Sequence, residues 1–578
     1  MEARKVATIT RLVSAPSQIA NEPTYAGNVG GLTLITNVNS VIKTKSPFTL
    51  SAWQEGLRNH PDQELVRKLL HDIEHGVKLG HVGPRIARIS PNWPSALHHS
   101  TVVEDAIARD IQMGRKAGPF SQPPSPNFTA SPLGVYRKKR SDKFRIIHDL
   151  SWPPGEAVND FIPDEECTLQ YITIDQVVEI VKTCGQRALV SKLDLKDAYR
   201  HIVVSPSDWE LLGSSWTTTD ACGNNHVQYY IDLVLPFGLR SSARLFNNYA
   251  DALQFVMRDK GATVVEHYLD DYVTCGPSSS NQCDNNLQIM LQCCADLGFA
   301  VQPSKVVKPT TRLEYLGIII DTELMALLIS EERLSEIMHE LSRWKSKRTC
   351  KKRELLSLIG KLTFVARVVR PGRIFTRRLI DLSKKVKYLH HRIRVSAAAH
   401  KDIQWWINYL PSWNRLSMFY ESDWSSNADM HLWTDASDSG YAATYKDEWI
   451  CGTFDGDQSN LAAEIIAWKE LYAIVVAAAT WGHNFTSKKV LFHCDNMTIV
   501  RILQKGTSTS ENIMTLVRSL FFICAQNNFM CSAVHVAGAT NRSADALSRG
   551  QIGKFMELNP GAKKEMTDQG HIPFNCFV

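Results

Sequence analysis

From Val264 to Cys275 the chain reads VVEHYLDDYVTC, an apolar strand pattern that carries two carboxylates side by side, Asp270 and Asp271. Two unit charges about 4 Å apart repel by roughly 4 kcal/mol at an effective dielectric near 20, and burial makes this worse. A solvated hairpin tip relieves a lone Asp-Asp pair, because Asp favours turns. A divalent cation relieves it too, provided that oxygen ligands arrive from a second segment. ALVSKLDLKDAYRHIVV (Ala188 to Val204) offers one, for its apolar run delivers Asp194 at what reads as a strand end. Adjacent side chains of a straight strand point to opposite faces, so Asp270 and Asp271 act together only from the bend of a hairpin. Asp194, Asp270 and Asp271 then form a three-carboxylate cage for two Mg²⁺ ions, with Mn²⁺ as an alternative. That arrangement clamps the attacking and leaving oxygens of a phosphoryl transfer.

Such a cage has to be carried by a sheet, and strands do alternate with helices from Val135 to about Asp321. The stretch before it, GPFSQPPSPNFTASPLG (Gly118 to Gly134), reads as a proline-rich connector. Further upstream, PDQELVRKLLHDIEHGVKLGH reads as an amphipathic helix opened by Pro61, with Leu65, Leu69, Ile73 and Val77 at helical spacing. A chain of 578 residues exceeds one core, and 44% hydrophobic with 21% charged residues is ordinary for a globular protein. Its longest apolar stretch, LYAIVVAAATW from Leu471, falls short of a membrane span, and MEARKVATITRL lacks the apolar core of a signal peptide. The expectation is an intracellular protein without a membrane partner, cytoplasm and nucleus not being distinguished. Thirteen cysteines without a CxxC pair fit reduced thiols better than a disulfide framework.

The charge is unevenly spread. Between Arg343 and Lys401 there are 19 Lys and Arg against Glu354 and Asp381, a net of +17, which leaves −11 for the rest of a chain whose total is +6. Apolar residues interleave at helical spacing in RELLSLIGKLTFVARVVRPGRIFTRRLIDL, so one face packs while the other presents cations. This is the footprint of a surface that tracks phosphates, and Arg373, Arg377 and Arg378 are its candidate nucleic-acid contacts. A solvated helical face is the plainer alternative.

LDLKDAYR, LPFGLRSSARLFN, YLDD, LGFAVQPSKVVKP and LEYLG follow one another in the order of the palm motifs of reverse transcriptases. More narrowly the chain resembles the polymerase polyprotein of DIRS-type retrotransposons, from its N-terminal helix to about Arg549. RVVRPGRIFTRRLIDL and NRSADALSRG are the more specific runs. The resemblance implies RNA-directed DNA synthesis with an RNA template, a DNA primer, an RNA-DNA hybrid and deoxynucleoside triphosphates as partners. It also implies a tyrosine recombinase supplied by a separate chain.

Under that resemblance RKKRSDKFRIIHDLS is similar to a fingers hairpin, and Lys143 and Arg145, sharing a face at i, i+2, are placed to hold a triphosphate. Arg145 is the stronger candidate, because a guanidinium binds phosphate oxygens bidentately. Gly238 permits close backbone approach before a helix that begins near Ser241. The resemblance alone sets Phe237 beside the nucleotide, Tyr199 beneath the incoming sugar as a bar to ribose, and Lys305 near the leaving pyrophosphate. RLEYLGIIID resembles a primer-gripping hairpin.

A second acidic set lies downstream. Asp435 in HLWTDASDSGYAATY, Glu464 in NLAAEIIAWKEL, Asp495 in KVLFHCDNMTIV and Asp545 in NRSADALSRG resemble the four metal-binding carboxylates of ribonuclease H. Glu470 competes with Glu464; NLAAE matches the family's helix better, and Glu470 is assigned to a solvated face. The DSG at Asp438 is read as part of the Asp435 hairpin. The histidine loop of cellular ribonucleases H is missing, since only HVAGATNRSAD joins His535, on a strand, to Asp545.

The expected fold is therefore α+β and multidomain, a right-hand polymerase of fingers, palm and thumb followed by a ribonuclease H-like mixed α/β domain. The boundaries fall at 1–117 (helical), 118–320 (fingers and palm), 321–427 (basic thumb or connection), 428–550 (ribonuclease H-like) and 551–578 (loose tail). An RNA-dependent RNA polymerase fits less well, given Tyr199 and the second acidic set. A non-catalytic nucleic-acid-binding protein would have been favoured by a missing ligand, and none is missing.

Overall fold

The computed structural model describes residues 46–137, 142–219, 222–411, 413, 416–419, 431–454, 465–486 and 488–572. It forms two compact units, Met1–Leu313 and Glu314–Val578, and both mix sheets with helices.

In the first unit a four-stranded antiparallel sheet runs in the order Val307–Thr310, Leu189–Asp194, Asp271–Gly276, Glu266–Tyr268. Leu189–Asp194 is an interior strand with Val190, Ser191, Leu193 and Asp194 all buried. The helix Ser242–Asp259 brings Leu245, Tyr249, Leu253 and Val256 at helical spacing into the core, and Gln282–Leu297 adds Met290, Cys294 and Leu297. A five-stranded sheet and the hairpin Leu133–Arg137 with Phe144–His148 complete the unit.

The N-terminal residues described, from Phe48 on, contribute to this same core. Trp53 is fully buried and donates from Nε1 to the carbonyl of Leu297 at 3.1 Å. Its ring packs with Phe48, Tyr249 and Phe299 at centroid distances of 5.3, 5.8 and 6.0 Å. The amphipathic helix is present as Gln63–His75, capped by Asp62 and burying Leu69 and Ile73. It stops at Gly76, so Val77 leaves the helix and bridges Val204 instead. The proline-rich stretch is no connector either. Lys116–Phe120 pairs with Asn225–Asp232, and Thr129–Ala130 lies between Arg88–Ile89 and Gly213–Thr219 in the five-stranded sheet.

Early in the second unit, Ile318–Asp321 follows Arg312–Tyr315 across a turn at Leu316 and Gly317, both in the left-handed region. Helices Glu331–Trp344, Lys352–Val365, Arg377–Lys384 and Ala397–Tyr409 carry the basic segment, together with the two-stranded ribbon Thr349–Lys351 and Arg392–Arg394. A five-stranded mixed sheet follows, ordered Glu448–Thr453, Gly440–Tyr445, His431–Ala436, Lys489–Cys494, Met530–His535, the last three parallel to one another. Residues 551–572 are docked rather than loose, a second correction. Trp449 Nε1 donates to the carbonyl of Lys563 at 2.8 Å, Tyr441 donates to Gln569 at 2.7 Å, and Phe555 and Ile572 are buried. Among the described residues no helix is long and apolar enough to cross a membrane.

Because Trp53, on the short helix Leu50–Gly56, packs into the core of the first unit, Trp53→Ala is expected to cost that unit about 3–5 kcal/mol of stability. Urea-dependent proteolysis of the Asp194 and Asp271 strands measures it; an unchanged midpoint would make the N-terminal helices an appendage.

Candidate active sites

Asp194 ends its strand, and the register sets Asp271 directly opposite it. The neighbouring hairpin turns at Leu269 and Asp270, with Leu269 at φ 56°, so that the adjacent carboxylates escape the alternation of a straight strand. His267 fixes this turn by bridging Asp251 Oδ1 at 2.9 Å and the carbonyl of Leu269 at 3.2 Å. The Leu195 amide donates to the carbonyl of Asp270 at 2.9 Å. The structure thus brings Asp194, Asp270 and Asp271 together. Burial, then Asp194 and Asp271, push the Asp270 carboxyl up to about 6, against its own backbone hydrogen bond and Lys305. Burial also raises Asp271, helped by Asp194 and opposed by Lys192 and Lys305. Lys305 donates from Nζ to Asp194 Oδ2 at 2.6 Å and is the cation that touches the set directly.

Beside the carboxylates, Tyr199 packs against Phe237 and Phe246 at 5.4 and 5.6 Å, and the Arg145 guanidinium lies 4.9 Å above the Phe237 ring. Burial, with the Asp270 charge next in size, raises the Tyr199 hydroxyl. Gly238 has φ +125°, and a Cβ there would sit 1.9 Å from the carbonyl oxygen of His148, so no side chain fits. Asn159, not singled out by the sequence, donates from Nδ2 to the Gly238 carbonyl at 2.8 Å and accepts the Arg240 amide at 2.8 Å. Ser241 is the N-cap of the following helix, as the sequence indicates. Lys143 is exposed just before the strand Phe144–His148, while Lys138, Lys139 and Arg140 lie outside the described residues.

The second constellation forms on the mixed sheet. Asp435 is buried and accepts from Ser548 Oγ at 2.6 Å and Asn541 Nδ2 at 3.3 Å. Asp495 follows the end of the strand Lys489–Cys494, and Asp545 stands on the helix Arg542–Ser548, paired with Arg549 at 2.7 Å. Burial pushes Asp435 up to about 6, with Asp495 and Asp545 adding to it and the Ser548 bond opposing. Glu464 lies outside the described residues. Glu470 is not solvated, which corrects its assignment to a solvated face: it is 3% exposed, and its carboxylate, Asp495 and Cys494 Sγ come within 4.8 Å of one another. Burial, with Asp435 and Asp495 adding to it, pushes Glu470 up to about 9. The signal was available in the sequence, since a lone acid in the helix Ile466–Trp481, which is apolar on nearly every side, has to face a polar site. Ala436, Ser437, Asp438, Glu470, Asp495 and Arg549 line one cleft. His535 ends the exposed tip of its strand, as expected.

In the basic segment Arg373 and Arg377 are exposed, and Arg377 pairs with Asp381 at 3.1 Å. Arg378 turns inward. It donates to Asp402 Oδ1 and to the carbonyl of Ala398, both at 3.3 Å, and Arg518 approaches the same carboxylate at 3.5 Å. Its charge serves the fold because Asp402 is 1% exposed, which corrects its assignment to phosphate contact. Lys384, Lys385, Lys387, Arg392, Arg394 and Lys401 are also exposed further along the segment.

With this geometry in hand, similarity to known proteins can be placed on it. Residues 138–320 match the reverse transcriptase (RNA-dependent DNA polymerase) family. The match spans Asp194, Asp270 and Asp271 together with Arg145, Tyr199, Gly238 and Lys305. Polyprotein P3 of Commelina yellow mottle virus is 22% identical over 397 residues, 66% of this chain and 19% of that polyprotein, so the chain spans about a fifth of its relative's length. Two solved structures are similar over most of the chain. The foamy viral protease-reverse transcriptase dRH in complex with double-stranded DNA shows 15% identity over 89% of this chain and 84% of that one, with a TM-score of 0.48. The foamy viral protease-reverse transcriptase in complex with RNA/DNA hybrid shows 15% identity over 84% and 62%, with a TM-score of 0.44.

The raised carboxyls give each of the two sites a pH signature. The Asp270 value near 6 exceeds an unfolded value near 3.9, so the folded state binds this proton more tightly, and ionising it costs stability above about pH 6 and nothing below about pH 4. In chelator, Asp270→Asn is expected to stabilise the protein at pH 7.5 by on the order of 2 kcal/mol, with no gain near pH 4. Glu470→Gln is expected to show a gain that keeps growing towards pH 9. Thermal unfolding across pH checks both; destabilisation by either change at pH 7.5 contradicts the electrostatic reading.

Proposed function

We propose that this chain is an RNA-directed DNA polymerase with a second, hydrolytic centre that cuts the RNA strand of RNA-DNA hybrids. The observation that carries the reading is the convergence of Asp194, Asp270 and Asp271 at one hairpin, inside the segment that matches reverse transcriptases. Three repelling carboxylates with an all-oxygen donor set fit hard divalent cations, Mg²⁺ or Mn²⁺, two per centre. Cations bound there would lower the pKa of the primer 3′-hydroxyl and balance charge on the departing pyrophosphate.

The chain's own residues do the rest. Arg145 holds the triphosphate, and Tyr199 with Phe237 floors the sugar pocket, where an aromatic ring excludes a 2′-hydroxyl by overlap. The turn at Gly238 lets the backbone approach the new base pair. Lys305 is near enough to Asp194 to follow charge building on the leaving group. Asp435, Glu470, Asp495 and Asp545 form the second cation site, and Glu470 keeps a proton at neutral pH until a cation displaces it. Duplex phosphates lie along Arg373, Lys385, Lys387, Arg392 and Arg394. The runs RVVRPGRIFTRRLIDL and NRSADALSRG support the narrower reading of a DIRS-type retrotransposon polyprotein working with a separately encoded tyrosine recombinase.

Primer extension on an RNA template and cleavage of a labelled hybrid test the two activities separately. Asp271→Asn is expected to lower extension by more than about 100-fold, the loss found when a group acting on developing charge is removed, and to leave hybrid cleavage in place. Glu470→Gln is expected to do the reverse. Extension by Asp271→Asn at the parent rate, or loss of both activities in either folded variant, would overturn the assignment.

A further inference from the structure

Behind the Phe237–Gly238 turn lies a buried charge cluster that no step above uses. Asp232, 5% exposed at its side chain, accepts from Lys116 Nζ at 3.0 Å, from Arg200 at 2.8 Å and from His148 Nδ1 at 3.1 Å. Arg200 also pairs with Asp110 at 2.7 Å. The other nitrogen of His148 meets the carbonyl of Gly213 at 2.8 Å. The ring of His148 is thus held between a carboxylate and a carbonyl, both of which only accept. Burial opposes the Asp232 charge, yet Lys116, Arg200 and His148 together hold its carboxyl well below the usual range.

The backbone of His148 is joined to the turn itself. Its N–H donates to the carbonyl of Phe237 at 3.0 Å, and its carbonyl oxygen is the atom that Gly238 admits by lacking a Cβ. His148 therefore fastens the segment Asp232–Gly238 at two points, by side chain at one end and by backbone at the other. It lies three residues after Arg145 on the same strand, and Arg145 stands over Phe237.

We propose that His148, held by Asp232, is a positioning residue for the incoming deoxynucleotide: it locks the Arg145 strand onto the Phe237–Gly238 turn so that triphosphate and base-pair contacts keep one spacing. The inference rests on the polymerase reading. A cluster that merely stabilised the fold would lower every activity together, whereas a positioning role acts on nucleotide binding and does so through Arg145.

Single-nucleotide incorporation by the full chain, with one deoxynucleoside triphosphate on a primed RNA template, separates the two. His148→Leu, which removes both ring nitrogens, is expected to raise KM for the nucleotide by about 10-fold or more while kcat stays within about 3-fold, as misplacement of a binding group does. Added to Arg145→Lys, the same change is expected to raise KM by no more than about 2-fold further, because the group being positioned is already altered. If His148→Leu does not fold, His148→Gln, which keeps one donor, carries the test with an intermediate KM. Full multiplication of the two effects, an unchanged KM, or a loss of kcat in step with a lowered unfolding temperature overturns the inference. A parent chain that does not extend the primer overturns the polymerase reading and the inference with it; an active parent with unaltered variant KM overturns the inference alone.

Discussion

The repulsion between carboxylates crowded out of water is the constraint on which the rest of this structure depends. In one unit Asp194 adds to the rise of the Asp270 and Asp271 carboxyls, and in the other Asp495 adds to that of Asp435 and Glu470. Nothing in local propensity favours such sets. They persist because the surrounding hydrophobic cores over-determine the backbone that carries them, and strain of this kind clusters where a protein does chemistry.

The two centres solve the same problem with different parts. In the first, an antiparallel register places Asp271 against Asp194, and a turn with a left-handed Leu269, fixed by His267, adds Asp270. In the second, the carboxylates come from two strand ends and two helices, and Ser548 and Asn541 orient Asp435. Each centre also has a resident cation, Lys305 in one and Arg549 in the other, that offsets part of the charge without cancelling it.

How much of this is legible in the sequence follows from the kind of signal each residue leaves. Adjacent acids in an apolar strand are conspicuous, so Asp270, Asp271 and the strand-end Asp194 could be read directly, as could the hairpin they require. Glu470 left a weaker signal, a lone acid in a helix buried on nearly all sides, which shows no amphipathic face to say where the acid points. Arg378 was misplaced for a related reason: in a basic run, composition does not show that one member faces a buried Asp402. The proline-rich stretch hid strands of two and five residues, too short for periodicity to register. The amphipathic helix Gln63–His75 was visible, but the short helix Leu50–Gly56 was not, and the partners of its Trp53, Tyr249 and Phe299, lie far along the chain, a contact no local pattern reports.

The claim that both carboxylate sets are cation sites is tested most directly by the thermal unfolding of the full chain as Mg²⁺ is added after chelation. Binding to the folded state alone raises the midpoint with the logarithm of ligand concentration above Kd. The account predicts a saturable requirement for Mg²⁺ that K⁺ does not replace, and a rise that is largely lost when Asp194→Asn and Asp435→Asn are combined. An equal rise in that double variant, or no rise in the parent, would contradict it.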